Sequence, residues 1–247
     1  MLNEPTMDKL RALRLDTLAA AWAEQQKNPE IAKLAFDERL GLLVDAEHLA
    51  RENKRLARLL KEAKLRLGQA CVEEIDYPAR RELDKAVIRQ LATCRWVHEH
   101  QNVTITGATG TGKTFVACAL AQQACRKGHS AIYRRASRLF DELGLARADG
   151  SYVRLLAKLA RADVLVIDDW GLAPVRDQER RDLLEMLEDR YGQRSTIMTS
   201  QLSTKQWHDH LADQTLADAI LDRLLHNAHK IALKGPSRRK EKEEADQ

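Results

Sequence analysis

The chain has 247 residues, of which 44% are hydrophobic and only 4% aromatic, so it has room for one large domain or a medium domain with a smaller companion, built on an aliphatic core. Its formal net charge of +4 permits a nucleic-acid partner without demanding one. No apolar run reaches the roughly 18 residues of a membrane span, and Asn3, Glu4 and Asp8 do not read as a secretory signal, so a cytoplasmic protein with no membrane partner is expected.

The first 68 residues read as a small helical domain. Residues 6–66 look helical throughout: Met7, Leu10, Leu13 or Arg14, Leu18 and Trp22 recur every three or four positions, and Asn28-Pro29 breaks this first helix. A second run places Phe36, Leu40, Leu43, Leu56, Leu59 and Leu60 on one side, and it turns basic in "RENKRLARLLKEAKLRL". "GQACVEEIDYP" is the expected joint, with Gly68 stopping one helix and Pro78 restarting another. Cys71, Cys94, Cys118 and Cys125 form no C-x-x-C pair and are expected to be reduced thiols.

Over residues 69–236 the pattern becomes α/β. "NVTITG", "SAIYRR", "ADVLVIDDW", "STIMTSQ" and "HKIAL" read as strands, with helices between them such as Lys113–Arg126 and "QERRDLLEMLEDRYGQ". "ADVLVIDDW" is too apolar to have a wet face, so a parallel sheet covered by helices on both sides is expected. The polar tail, 237–247, is expected to fray.

Between the first strand and its helix lies Gly107-Ala108-Thr109-Gly110-Thr111-Gly112-Lys113-Thr114, the pattern G-x-x-x-x-G-K-[ST]. Glycines let successive backbone N–H groups turn inward around phosphate oxygens, and the helix N-terminus adds its positive dipole end. Lys113 is placed to reach the β- and γ-phosphates of a nucleotide, and the Thr114 hydroxyl to serve Mg²⁺. In "VLVIDDW", four apolar residues end in Asp168, the expected Mg²⁺ acid of a Walker B strand. Asp169 stands where many hydrolysing members carry a water-orienting Glu, one methylene longer. Ser200 or Gln201, at the end of the next strand, is a candidate for contact with the γ-phosphate or the water.

Arg223 is either an arginine finger reaching a neighbouring subunit or a surface ion-pairing residue. Arg238 and Arg239 are sensor candidates or tail charges. Arg134, Arg135, Arg138, Arg147, Arg154 and Lys158 either face a phosphate backbone or lie on solvated helix faces, and Tyr152 either stacks a base or packs a turn. The histidines of "HEH" and "WHDH" lack a companion cluster, so no zinc is expected.

Taken together, "GATGTGKT", "ARADGSY", "LVIDDWGL", "RRDLLEMLEDRYGQRSTIMTSQL" and "TLADAILDRLLHNAHKI" resemble the IstB family over almost the whole chain. These are AAA+ ATPase helpers of insertion-sequence transposases. The resemblance implies a helical N-terminal domain on an AAA+ core related to bacterial helicase loaders and the replication initiator. It implies an ATP- and Mg²⁺-dependent homo-oligomer on duplex DNA that recruits or activates a partner transposase. By position, Gly107–Thr114 would bind nucleotide, Asp168 and Asp169 would serve Mg²⁺ and hydrolysis, and Arg223 would be the finger. A helicase loader, a non-hydrolysing ATP-switched scaffold and a small-molecule P-loop enzyme are the rival readings. Two positions depart from the family pattern: Gly235-Pro236-Ser237-Arg238-Arg239 stands where G-E-S-x-R is usual, and Ser203, expected as a helix N-cap, replaces a proline.

Overall fold

The structure, a computed structural model, describes residues 4–237, so Arg238, Arg239 and most of the polar tail lie outside the described residues. The chain divides into two compact units between Arg58 and Leu59. This division falls inside a long helix rather than at the joint expected near Gly68.

The first unit holds α1 (Glu4–Ala12), α2 (Asp16–Lys27), α3 (Pro29–Ala32) and most of α4 (Phe36–Ala63). The Asn28-Pro29 break is present: Asn28 Oδ1 accepts the Glu30 N–H, with Pro29 at the first helical position. A second break, which the periodicity did not reveal, separates α1 from α2. Arg14 takes φ +58°, and the Leu15 N–H reaches back to Leu10 O, the closing bond of a Schellman turn. Glu47, 8% exposed on α4, holds this corner by accepting from the Leu18 N–H at 3.0 Å and from Arg51 at 2.7 Å.

In the second unit α4 ends at Ala63, with Lys64 at φ +51°, so the helix stops before Gly68. Pro78 leads into a single 3-10 turn at Ala79–Arg81 rather than a helix. The helix α5 (Lys85–Ala92) begins only at Asp84, whose carboxylate caps the Ala86 N–H, and α6 (Arg95–His98) follows.

Then come β1 (Asn102–Gly107), α7 (Lys113–Arg126), β2 (Ala131–Arg135), α8 (Ala136–Ala148), α9 (Tyr152–Arg161), β3 (Val164–Trp170), α10 (Asp177–Arg190), β4 (Ser195–Ser200), α11 (Gln206–Leu211), α12 (Gln214–Leu225) and β5 (Ala228–Leu233). The strands form one parallel sheet in the order β2-β3-β4-β1-β5. Val164 to Ile167 are fully buried, as is all of β4, which explains their unbroken apolar or small-residue runs. The core is largely aliphatic, with Trp96, Trp170 and Trp207 as its bulkiest members. Ser203 does not cap α11; it bonds the Gln206 side chain instead, and Lys205 stands at the N-cap.

At the N-terminal edges of β3 and β4, the guanidinium of Arg190 ties the layers together. It donates to Leu159 O at 2.6 Å, Ala162 O at 2.8 Å, Thr196 Oγ1 at 3.1 Å and Ser195 O. Arg190 is 1% exposed, so the Arg of "LEDRYGQRS" is a structural member of the core.

Candidate nucleotide-binding site

In a parallel sheet, the loops at the C-terminal ends of the strands share one edge, and ligands bind there. The phosphate loop leaves β1 at that edge. Gly107 has φ +149°, and a Cβ there would run into Leu233 O on the neighbouring strand. Gly110, at φ +84°, lies against Ser237 and has no room for a side chain. Ala108 and Thr109 form the exposed tip, while Thr111 is buried and donates to Ala108 O at 2.8 Å. The loop delivers Lys113 and Thr114 to the first turn of α7.

Lys113 is 6% exposed and donates its Nζ to Gly107 O at 2.7 Å and Ala108 O at 2.8 Å. Burial pushes its ammonium below the usual lysine range, against the opposing pull of Asp169 and Asp168. Thr114 Oγ1 lies 3.1 and 3.0 Å from the two oxygens of Asp168.

Asp168 is fully buried. Besides Thr114 it accepts from Tyr133 on β2 at 2.6 Å and from Thr199 on β4 at 2.5 Å. Burial, and then the bond to Asp168, push the Tyr133 phenol far above its ordinary range. The β3–β4 ladder pairs Ile167 with Met198 and Trp170 with Ser200, so Asp168 and Asp169 together oppose Thr199 alone. This is a β-bulge, a device that re-aims side chains. It puts Asp169 at φ +60°, donating its N–H to Thr199 Oγ1 at 3.0 Å. Asp169 Oδ2 lies 3.2 Å from Arg135 and 3.5 Å from Arg66. Arg66 also lies 3.8 Å from Asp168.

The phosphate loop, Lys113, Thr114, Asp168 and Asp169 therefore converge. The donor set fits Mg²⁺–nucleotide: the cradle is closed to side chains at two glycines, a lysine stands at its base, and hard oxygen donors from Thr114 and Asp168 suit a small divalent ion. Three further members were not singled out from the sequence: Arg66, Tyr133 and Thr199. Ser200 turns its hydroxyl to Trp170 O at 2.8 Å, and Gln201 is exposed, so Thr199 is the β4 residue that touches the acids.

Arg223 lies elsewhere. Its carbonyl accepts from Asn102 at the start of β1, and its guanidinium pairs with Glu188 at 2.9 Å and donates to Ala219 O. Six residues of strand, roughly 20 Å at about 3.3 Å each, separate that edge from the phosphate loop.

The expected DNA-facing cations divide. Arg138, Arg154 and Lys158 are exposed on α8 and α9. Arg135 belongs to the site just described. Arg134, its side chain 14% exposed, pairs with Glu142 at 2.9 Å. Arg147 pairs with Asp182 and stacks 3.7 Å over the Tyr152 ring, whose hydroxyl bonds Asp182 and Glu185. Among the described residues, no group of His, Cys, Asp and Glu could hold a metal by itself, and no helix is long and apolar enough to cross a membrane. All four cysteines are free thiols.

The profile of the family described as IstB-like ATP binding protein matches residues 8–245. The chain belongs to that family. A relative from Sinorhizobium fredii (strain NBRC 101917 / NGR234), named "Putative insertion sequence ATP-binding protein y4pL", is 48% identical over 97% of this chain and 98% of its own length. The "Insertion sequence IS1162 putative ATP-binding protein" of Pseudomonas fluorescens is 50% identical over 82% of this chain and 87% of its own. Among solved structures, the DnaC helicase loader covers 67% of this chain and 97% of its own, with TM-score 0.56 and 21% identity. DnaI covers 72% and 94%, with TM-score 0.58 and 21% identity. These likenesses establish the AAA+ fold of this IstB-like chain. The IstB-like match includes every residue of the convergent site.

Proposed function

We propose that this IstB-like protein is an ATPase that assembles on duplex DNA and recruits or activates a partner transposase. The observation that carries the reading is the convergence of Lys113, Thr114, Asp168 and Asp169 at one sheet edge. Residues Gly107–Thr114 cradle the phosphates of ATP, with the Lys113 ammonium swinging from the loop carbonyls to the β- and γ-oxygens. Thr114 and Asp168 would hold Mg²⁺, which would supply charge neutralisation for phosphoryl transfer. Asp169 orients the attacking water.

Arg223 supports an oligomer. At the sheet edge remote from its own phosphate loop, it can act only on the nucleotide of an adjacent protomer, as arginine fingers do in trans. Insertion-sequence relatives support a transposition role, and exposed Arg138, Arg154 and Lys158 offer DNA-backbone contacts whose strength would fall with salt. The first compact unit, ending at Arg58, is the partner- or DNA-binding domain, and the second, which includes Arg66, is the ATPase.

The test is ATP turnover with and without duplex DNA, with light scattering of the same samples. Duplex-stimulated turnover with ATP-dependent assemblies is expected. A strong preference for single strands would favour a helicase loader. Turnover indifferent to DNA in a monomer would remove both readings.

A further inference from the structure

Among the described residues, the two acids of the Walker B strand face Lys113 from the phosphate loop, Arg135 from the end of β2, and Arg66 from the segment after α4. Arg66 makes ion pairs with both acids, at 3.8 Å from Asp168 Oδ2 and 3.5 Å from Asp169 Oδ2. Its place is fixed by the chain around it. Ala63 and Ala70 are buried on either side of it. Arg66 itself is 39% exposed along its side chain, so it can leave without unpacking the core.

The geometry points to Arg66 as the residue that sets the metal requirement of this site: its guanidinium, paired with both acids, competes with a Mg²⁺ held by Asp168 for that carboxylate and for the negative charge beside it. This rests on the Mg²⁺–nucleotide reading above. A Mg²⁺ ion binds oxygens at about 2.0–2.1 Å and demands near-octahedral geometry, often keeping several waters. An ion held by Asp168 would need room beside that carboxylate, where the Arg66 guanidinium now lies at 3.8 Å. The guanidinium contributes one positive charge at 3.5–3.8 Å, where a divalent ion would contribute two. Loading the metal therefore exchanges one cation for another, and Arg66 lowers the affinity for free metal. Arg135, at the C-terminal end of β2, does not compete in this way, because its ion pair is with Asp169 alone.

The experiment compares the wild type with Arg66→Ala and Arg66→Lys, using a fluorescent non-hydrolysable ATP analogue titrated with MgCl₂. Thermal melts are run in EDTA and in MgCl₂ without nucleotide. Arg66→Ala is expected to reduce the Mg²⁺ needed for half-maximal analogue binding by about threefold or more, the scale of one partly exposed ion pair. Its melting point should fall in EDTA and recover with Mg²⁺ by more than the wild type gains, and Arg66→Lys should lie between. An unchanged Mg²⁺ midpoint would overturn the proposal. So would weaker analogue binding by Arg66→Ala at every Mg²⁺ concentration, which would make Arg66 a phosphate ligand. Failure of the wild type itself to bind the analogue would instead refute the nucleotide reading.

Discussion

Thr199 holds both acids of the Walker B strand: its hydroxyl lies 2.5 Å from Asp168 Oδ1 and accepts the Asp169 N–H at 3.0 Å. A hydroxyl that donates to one residue and accepts from the next fixes the bulge that aims them. Thr199→Val keeps the shape and removes both bonds, leaving a buried N–H without its acceptor. Urea unfolding should show a loss of about 1–3 kcal/mol, with reduced turnover, while Thr199→Ser stays close to wild type on both measures.

Asp169 carries no hydrogen bond to Thr114, and its carboxylate faces the arginines rather than the buried donors that hold Asp168. The two acids should therefore separate experimentally. Asp169→Asn is expected to lower ATP turnover on the order of 100-fold with analogue binding retained. Asp168→Asn should weaken Mg²⁺-dependent binding itself. Equal turnover in Asp169→Asn and wild type would place the water-orienting role on another residue.

Arg190 offers a contrast from the opposite edge of the sheet. Replacing it with Met fills the volume but leaves the carbonyls of Leu159, Ala162 and Ser195 without their buried donor. Denaturant melts should show a loss of about 2–5 kcal/mol. Analogue affinity of the folded fraction should be unchanged, because nothing in the phosphate loop touches Arg190.

His210 predicts an acid-side pH dependence. Its ring packs edge-on against Trp170 with centroids 5.6 Å apart, and burial holds its pKa below the ordinary value, against a backbone bond at Ala173. The unfolded chain then binds a proton more readily than the folded one. Stability from this group is complete above the unfolded value of about 6.5 and is lost as pH falls through the lowered folded value. The drop in melting temperature between pH 7 and pH 5 should be smaller in His210→Gln than in wild type. Equal drops would show that other groups carry the acid response.

Local pattern was enough to place the strands, the phosphate loop and α7, whose expected bounds Lys113–Arg126 match the observed ones. Those features follow from side-chain periodicity and glycine chemistry within a few residues, and so did the roles expected of Lys113, Thr114 and Asp168. The ends of α1 and α4 were not legible. Arg14 and Lys64 adopt left-handed backbone at residues with no local preference for it, and Arg51 stabilises the first by bonding Arg14 O. The rest of the site depended on strand order. Placing β4 between β1 and β3, with β2 outside β3, brings Thr199 and Tyr133 to Asp168 from 31 and 35 residues away, and Arg66 reaches Asp169 across 103. No periodicity carries such information. Sequence alone thus determined that a nucleotide-type phosphate loop and its acid are present. Only the packed sheet decided which hydroxyls and guanidiniums surround that acid, because those contacts exist between strands and not along them.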